Sequence, residues 1–134
     1  MWSRNHGLRK TLAKVIYDFI GMIKESNMAT RREKIEAMLV DEPNDTFLRY
    51  TLALELDKEG ASERSVELFN GLIRDTPPYV PAYFMAGQLM VRLDRITEAR
   101  KYLRDGIDEA RNQQDHHAAA EMAQLLASLG GAGE

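Results

Sequence analysis

A period of 34 residues constrains the fold of this chain more than any other feature. When the sequence is displaced by 34 positions, small, bulky and turn-forming residues meet residues of similar kind. The aligned pairs are Pro43 with Pro77, Leu52 with Ala86, Ala53 with Gly87, Leu56 with Met90, Gly60 with Asp94, Ser65 with Ala99, and Phe69 with Leu103. A repeat of this length is typical of helix pairs that bury their apolar faces by stacking on neighbouring pairs. The period therefore predicts an all-α solenoid.

Two full repeats fit the period, at residues 46–79 and 80–113. The helical spacing of apolar residues predicts two helices in each repeat. Ala53, Ser65 and Gly87 are small at positions where the two helices of a pair must approach closely. We therefore expect tight contacts between the paired helices at these residues.

Turn residues separate the two helices of each repeat. Gly60 is expected to end a helix in the left-handed conformation, which glycine tolerates best. Asp94 stands at the same position of the second repeat, and Asp is among the few other residues that accept this conformation. Asp45 and Thr97 are the predicted N-caps of the helices that follow them.

The flanks of the two repeats extend the array incompletely. Residues 31–43 form a half repeat, which is a second helix without its first. Its matching apolar residues are Ile35 with Phe69, Met38 with Leu72, and Leu39 with Ile73, each 34 positions apart. Arg111 stands where a closing proline would fall, and residues 115–129 are predicted to be a capping helix over the last apolar face. Residues 130–134 are a frayed tail.

These residues together resemble the tetratricopeptide repeat: a small residue in the first helix, a turn, a small and then a bulky residue in the second helix, and a closing proline. The resemblance covers residues 43–110 well and the flanks more loosely. Arg49 departs from it, because the family often has a large aromatic residue there, as Tyr83 is in the second repeat. The fold it implies is a right-handed helix-pair solenoid with a half repeat, two full repeats and a C-terminal capping helix.

Members of this family generally bind peptides or protein segments on the concave surface of the first helices. The resemblance implies that activity here, with a partner-binding groove made of Phe47, Tyr50, Leu54, Lys58, Phe84, Gln88, Val91 and Arg92. One subset of the family grips C-terminal carboxylates with charged residues at these sites, and that clamp is missing from this chain. A mostly apolar groove suits an amphipathic helix or an extended apolar segment. Alternatively, Phe47, Tyr50 and Phe84 serve only to pack neighbouring repeats.

Residues 1–27 form an N-terminal extension with an amphipathic pattern. Its apolar residues at helical spacing are Leu8, Leu12, Val15, Ile16, Phe19, Ile20 and Ile23. Lys14 interrupts the apolar run that a secretory signal peptide would need. The segment is a helix packed on the domain, a membrane-surface helix, or an extension that the compact domain at residues 28–129 does not need. The last interpretation follows from Met28, which begins a sequence typical of a chain start.

Charge and composition exclude several classes of function. Residues 1–27 carry five Lys/Arg and two acids, net +3, whereas residues 28–134 carry thirteen and nineteen, net −6. The acidic body argues against nucleic acid as a partner, since phosphate binding needs clustered Lys/Arg. Without cysteine there is no disulfide or thiolate chemistry. No apolar run approaches the roughly 18 residues of a spanning helix, so we expect a cytoplasmic protein without a membrane partner.

One cluster has the residue types of a metal or acid/base site: His116 and His117, with Glu121 one turn later. Two solvated histidines at a helix start are the simpler interpretation. No nucleophile turn or phosphate-binding glycine loop accompanies them. We therefore predict no catalytic residue, no metal, no cofactor and no enzymatic activity. The predicted function is a protein-binding scaffold; the alternative is a homo-oligomeric or membrane-apposed structural module that uses the N-terminal helix.

Deleting residues 1–27 should leave a folded domain, because two full repeats and the capping helix still bury a continuous core. Thermal unfolding of the truncated and full-length chains, followed by circular dichroism, measures this. An unfolded truncated chain would mean that the segment is an integral first helix and that the boundary at Met28 is wrong.

Overall fold

A computed structural model describes residues 11–20, 22 and 30–130 of the chain. All regular secondary structure in these residues is helical, which confirms the predicted all-α class. The helices are α1 at residues 11–20, α2 Arg31–Asp41, α3 Thr46–Lys58, α4 Ser62–Ile73, α5 Val80–Arg92, α6 Ile96–Asn112 and α7 His116–Ser128. The chain divides into two compact units, residues 1–34 and 35–134.

In the second unit, helices that follow one another in the chain also pack on one another, from α3 on α4 through to α6 on α7. The small residues of the repeat lie at these contacts. Ser65 is fully buried, and its Oγ donates a hydrogen bond of 2.6 Å to the Ala53 carbonyl. A Cβ atom on Gly87 would lie 2.9 Å from Leu103 Cδ2, closer than ordinary van der Waals contact. The predicted close approach is thus present in both repeats.

A common turn ends three of the described helices. Gly60, Asp94 and Gln114 each adopt a positive φ, of 82°, 60° and 61°. The next residue then donates its backbone N–H to a carbonyl in the preceding helix: Ala61 to Leu56, Arg95 to Met90 and Asp115 to Ala110, each at 2.8 Å. This pattern satisfies carbonyls that a helix end leaves without a partner. The predicted roles of Gly60 and Asp94 are confirmed.

The predicted N-caps have different outcomes. Asp45 caps α3, because its side chain accepts a hydrogen bond of 2.8 Å from the Leu48 N–H. The cap predicted at Thr97 is wrong, since α6 begins at Ile96 and its N-cap residue is Arg95. The turn that ties the Arg95 N–H to the preceding helix leaves the new helix to start at the next residue.

Arg49 occupies a position where the repeat often has an aromatic ring. In this chain Arg49 forms an ion pair instead. Its guanidinium donates to both carboxylate oxygens of Asp75, at 2.6 and 3.3 Å. Both side chains are partly buried, and bidentate charged pairs of this kind are the stronger ones. The pair joins α3 to the loop that precedes Pro77.

The last helix, α7, packs on α6 and also touches α5. Its buried Ala119 and Met122 follow the buried Tyr83 and Ala86 of α5 by 36 residues, two more than the period. The difference arises because α6 runs for 17 residues, through Arg111, to Asn112. The capping segment therefore takes the place that the first helix of a third repeat would have.

In the first unit, the predicted amphipathic helix is present over residues 11–20 and 22. All of these described side chains are exposed, the apolar ones included. Several predicted features lie outside the described part of the chain: Leu8, Ile23, the proposed boundary at Met28 and the last four residues of the tail.

Replacing Gly87 by leucine should lower the free energy of unfolding by about 1–3 kcal/mol, because the added side chain has no room beside Leu103. Ala120→Leu, at an exposed position of α7, is the matched control and should change little. Thermal and urea unfolding of both variants measure the difference. Equal stability of Gly87→Leu and the unmodified protein would refute the close contact.

Candidate functional site

The predicted groove residues all lie on two neighbouring first helices. Phe47, Tyr50, Leu54 and Lys58 are on α3, and Phe84, Gln88, Val91 and Arg92 are on α5. Phe84, Gln88 and Arg92 stand 34 positions after Tyr50, Leu54 and Lys58, so three positions of the row on α3 recur on α5. The row on α3 runs from apolar residues at the helix start to a charged residue at its end.

Three of these residues, Tyr50, Leu54 and Val91, are half-buried and pack against one core cluster. The Tyr50 ring meets the edge of Tyr79 at a centroid distance of 5.2 Å and tilts against Phe69 at 6.2 Å. Burial raises the pKa of the Tyr50 phenol above its ordinary value of 10.0, and Tyr79 adds to the effect. Tyr50 therefore contributes to a core cluster that contains residues of both repeats.

The other apolar groove residues differ in how far they are open to solvent. Phe84 is half-buried and packs against a second core cluster, which contains Val80 and Leu103. Gln88 on the same helix is also half-buried. Phe47, at the start of α3, is 69% exposed and contributes little to the core. The row thus combines half-buried side chains that pack on the core with one largely exposed phenylalanine, Phe47.

The charged end of the groove is built around an ion pair between α3 and α5. Arg92 donates to the Asp57 carboxylate, and Lys58 lies 3.5 Å from Glu55 on its own helix. The Arg92–Asp57 pair was not predicted. A signal for it exists in the sequence, because the two residues are one position more than a repeat apart and so fall on adjacent first helices.

The histidine cluster has the features of a solvated helix start. His117 pairs with Glu121 one turn later, and both histidines are exposed. In the part of the chain that the structure describes, no group of three metal-ligating side chains comes together. Over the same residues, no helix has the length and apolar character needed to cross a membrane.

Comparison with known proteins finds relatives among solved structures. No protein-family model matches the sequence, and no curated protein matches it. The solution structure of a tetratricopeptide repeat domain protein from Salinibacter ruber is 33% identical, with a TM-score of 0.62 over 66% of this chain and 89% of that one. A crystal structure of a tetratricopeptide repeat domain protein from Salinibacter ruber is 32% identical, with a TM-score of 0.58 over 64% of this chain and 96% of that one.

A third solved structure shares the fold at lower sequence identity. The solution structure of a protein from Bordetella parapertussis is 21% identical, with a TM-score of 0.66, and the match covers 75% of this chain and 88% of that one. At this identity the likeness concerns the arrangement of helices alone.

Stability should fall in alkaline solution, because burial raises the pKa values of Tyr50, Tyr83 and Tyr102 above 10.0 in the folded chain. The neutral phenols favour the folded state. Their contribution is complete below pH 10 and is lost as the pH rises through the folded-state pKa values. Urea unfolding between pH 8 and pH 11, at roughly half-unit steps, measures this loss, which should be smaller in Tyr50→Phe. An identical loss in that variant would contradict the assignment to Tyr50.

Proposed function

Because the chain belongs to the tetratricopeptide repeat family, we propose that it is a non-catalytic protein-interaction module whose groove on α3 and α5 binds a peptide or helical segment of another protein. The main support is the apolar row on the two first helices. Phe47 is largely exposed, and Leu54, Phe84 and Val91 are only half-buried although they border the core. Exposed apolar side chains grouped on one surface are typical of interaction sites.

The groove residues also define the chemistry of the partner. Phe47 and Phe84 supply apolar surface toward the start of their helices, whereas Lys58 and Arg92 stand at the helix ends. Lys58 and Arg92 are exposed even though each has an acidic neighbour, so both remain open to further polar contacts. A segment with an apolar face and an acidic or polar end fits this row, either as an amphipathic helix or as an extended strand.

At the corresponding positions of α7, the side chains are small or polar. Counting 36 residues from Phe84 and Gln88, the offset observed for this helix, leads to Ala120 and Gln124, both exposed. These side chains offer little apolar area to a ligand. The segment bound by the module would therefore be short, and its apolar contacts would concentrate on α3 and α5.

Two valines provide a matched test of the groove. Val91 on α5 and Val66 on α4 are both half-buried and pack against the same core cluster, but only Val91 belongs to the groove. Changing either one to alanine should destabilise the fold by about 1 kcal/mol. Only Val91→Ala should weaken binding of the ligand. The expected loss is roughly tenfold in Kd, because the variant offers the ligand less apolar surface to bury.

The ligand for this test is a helical peptide selected against the full chain from a display library, and fluorescence anisotropy gives its Kd. Phe84→Ala, measured in parallel, should weaken binding of the same peptide while leaving the chain folded. If Val91→Ala and Val66→Ala reduce binding equally, the effect is one of stability, and the groove residues serve packing alone.

A further inference from the structure

A second apolar surface lies in a cleft between the end of α2 and the start of α3. The cleft has a volume of about 400 Å³ and is lined by Met38, Asp41, Glu42, Asp45, Phe47 and Leu48. Met38 and Phe47 are 55% and 69% exposed. Two large apolar side chains thus lie open at the beginning of the repeat array.

The repeat register explains why this cleft exists. Met38 on α2 corresponds to Leu72 on α4, which is 0% exposed because it lies in the core shared by α3, α4 and α5. Ile35, by contrast, is buried as its counterpart Phe69 is, since it packs against Leu52 of α3. The helix α2 is thus covered on the side of the following repeat. The cleft beside Met38 is the position that the first helix of its own pair would fill.

The charge around the cleft restricts what can fill it. Asp41, Glu42 and Asp45 surround the apolar floor, and residues 28–134 as a whole carry a net charge of −6. A helix that docks here should have apolar residues on one face and basic residues beside them. Acidic or uncharged apolar segments lack that complementarity.

The chain itself contains a helix of this kind. On α1, the apolar side chains of Leu12, Val15, Ile16, Phe19 and Ile20 are between 48% and 59% exposed. Lys14 and Asp18 both lie off this stripe and offset each other in charge, and the flanking sequence supplies the basic excess, since residues 1–27 carry a net charge of +3. An exposed stripe of this size favours burial against another apolar surface.

We propose that α1 of one copy of this chain docks in the cleft of a second copy, and that the exchange is reciprocal. Each copy then supplies the first helix that the half repeat of the other lacks. Both the stripe and the cleft floor are exposed in the single chain, and both become buried in the exchanged dimer. Reciprocal exchange closes the assembly at two copies with two-fold symmetry. Phe47 belongs to both the cleft and the groove, whereas Met38 and α1 lie outside the groove, so variants of Met38 and α1 test this proposal separately from the proposed function.

Sedimentation equilibrium of the full chain over a range of concentrations tests the dimer. The unmodified chain should show a reversible monomer–dimer equilibrium. Ile16→Gln with Phe19→Gln should weaken it at least about tenfold, since each site loses two apolar contacts. Met38→Gln with Glu42→Lys should have a similar effect from the side of the cleft.

Matched controls separate docking from general damage. Tyr17→Gln changes an exposed side chain on the opposite side of α1, and Val40→Gln changes an exposed apolar side chain of α2 outside the cleft. Neither should alter the equilibrium. Phe84→Ala should not alter it either, and a strong loss of dimer in that variant would place α1 in the groove and overturn the proposal.

A mixture of the two double variants distinguishes exchange between copies from docking within one chain. The α1 variant retains an intact cleft, and the cleft variant retains an intact α1. At a concentration where each double variant alone is monomeric, the mixture should form a heterodimer held by one docked helix. A mixture that stays monomeric, or an unmodified chain that is monomeric at every concentration, overturns the proposal. So does a monomer that co-floats with phosphatidylglycerol vesicles through its α1 stripe.

Discussion

The close approach of paired helices is the constraint on which the rest of the second unit depends. Gly87 leaves room for the Leu103 side chain, and Ser65 lies directly on the Ala53 carbonyl. At these distances the larger residues on either side, such as Phe69 and Met90, meet in a core from which solvent is excluded. A wider spacing would open gaps beside each of them, because protein interiors tolerate few voids.

Helix spacing alone does not define the array, since the turns decide where the next helix begins. The left-handed residues Gly60, Asp94 and Gln114 end three helices in the same way, although they are three different residue types. Each turn reverses the chain within a few residues and leaves the next helix packed on the preceding one. The repetition of this turn after α6 explains why α7 continues the stack without a closing proline.

The same arrangement accounts for the surfaces that remain open. Helices inside the stack are covered by neighbours on two sides, so their remaining face is the only one available to a partner. At the start of the stack, Met38 of α2 is exposed although its counterpart Leu72 in the next repeat is buried. The groove and the cleft are therefore two results of one rule, that a repeat buries its apolar faces through its neighbours.

The sequence by itself determined the period, the helix pairs, the small contact residues and the left-handed turns at Gly60 and Asp94. These features depend on residues close in sequence or on a spacing that repeats, and both can be found without coordinates. The N-cap of α6 was misplaced by two residues, at Thr97 instead of Arg95, because the preceding turn, rather than the side chain, decides where that helix begins.

Only the tertiary structure decided how residues from different repeats meet. It paired Arg49 with Asp75 at a position where the repeat often has an aromatic ring, joined Asp57 to Arg92, and placed α7 two residues out of register. It also left Met38 open while burying its counterpart Leu72. Each of these outcomes depends on which helices are neighbours in space and where each helix ends. A local pattern of residues determines neither of these.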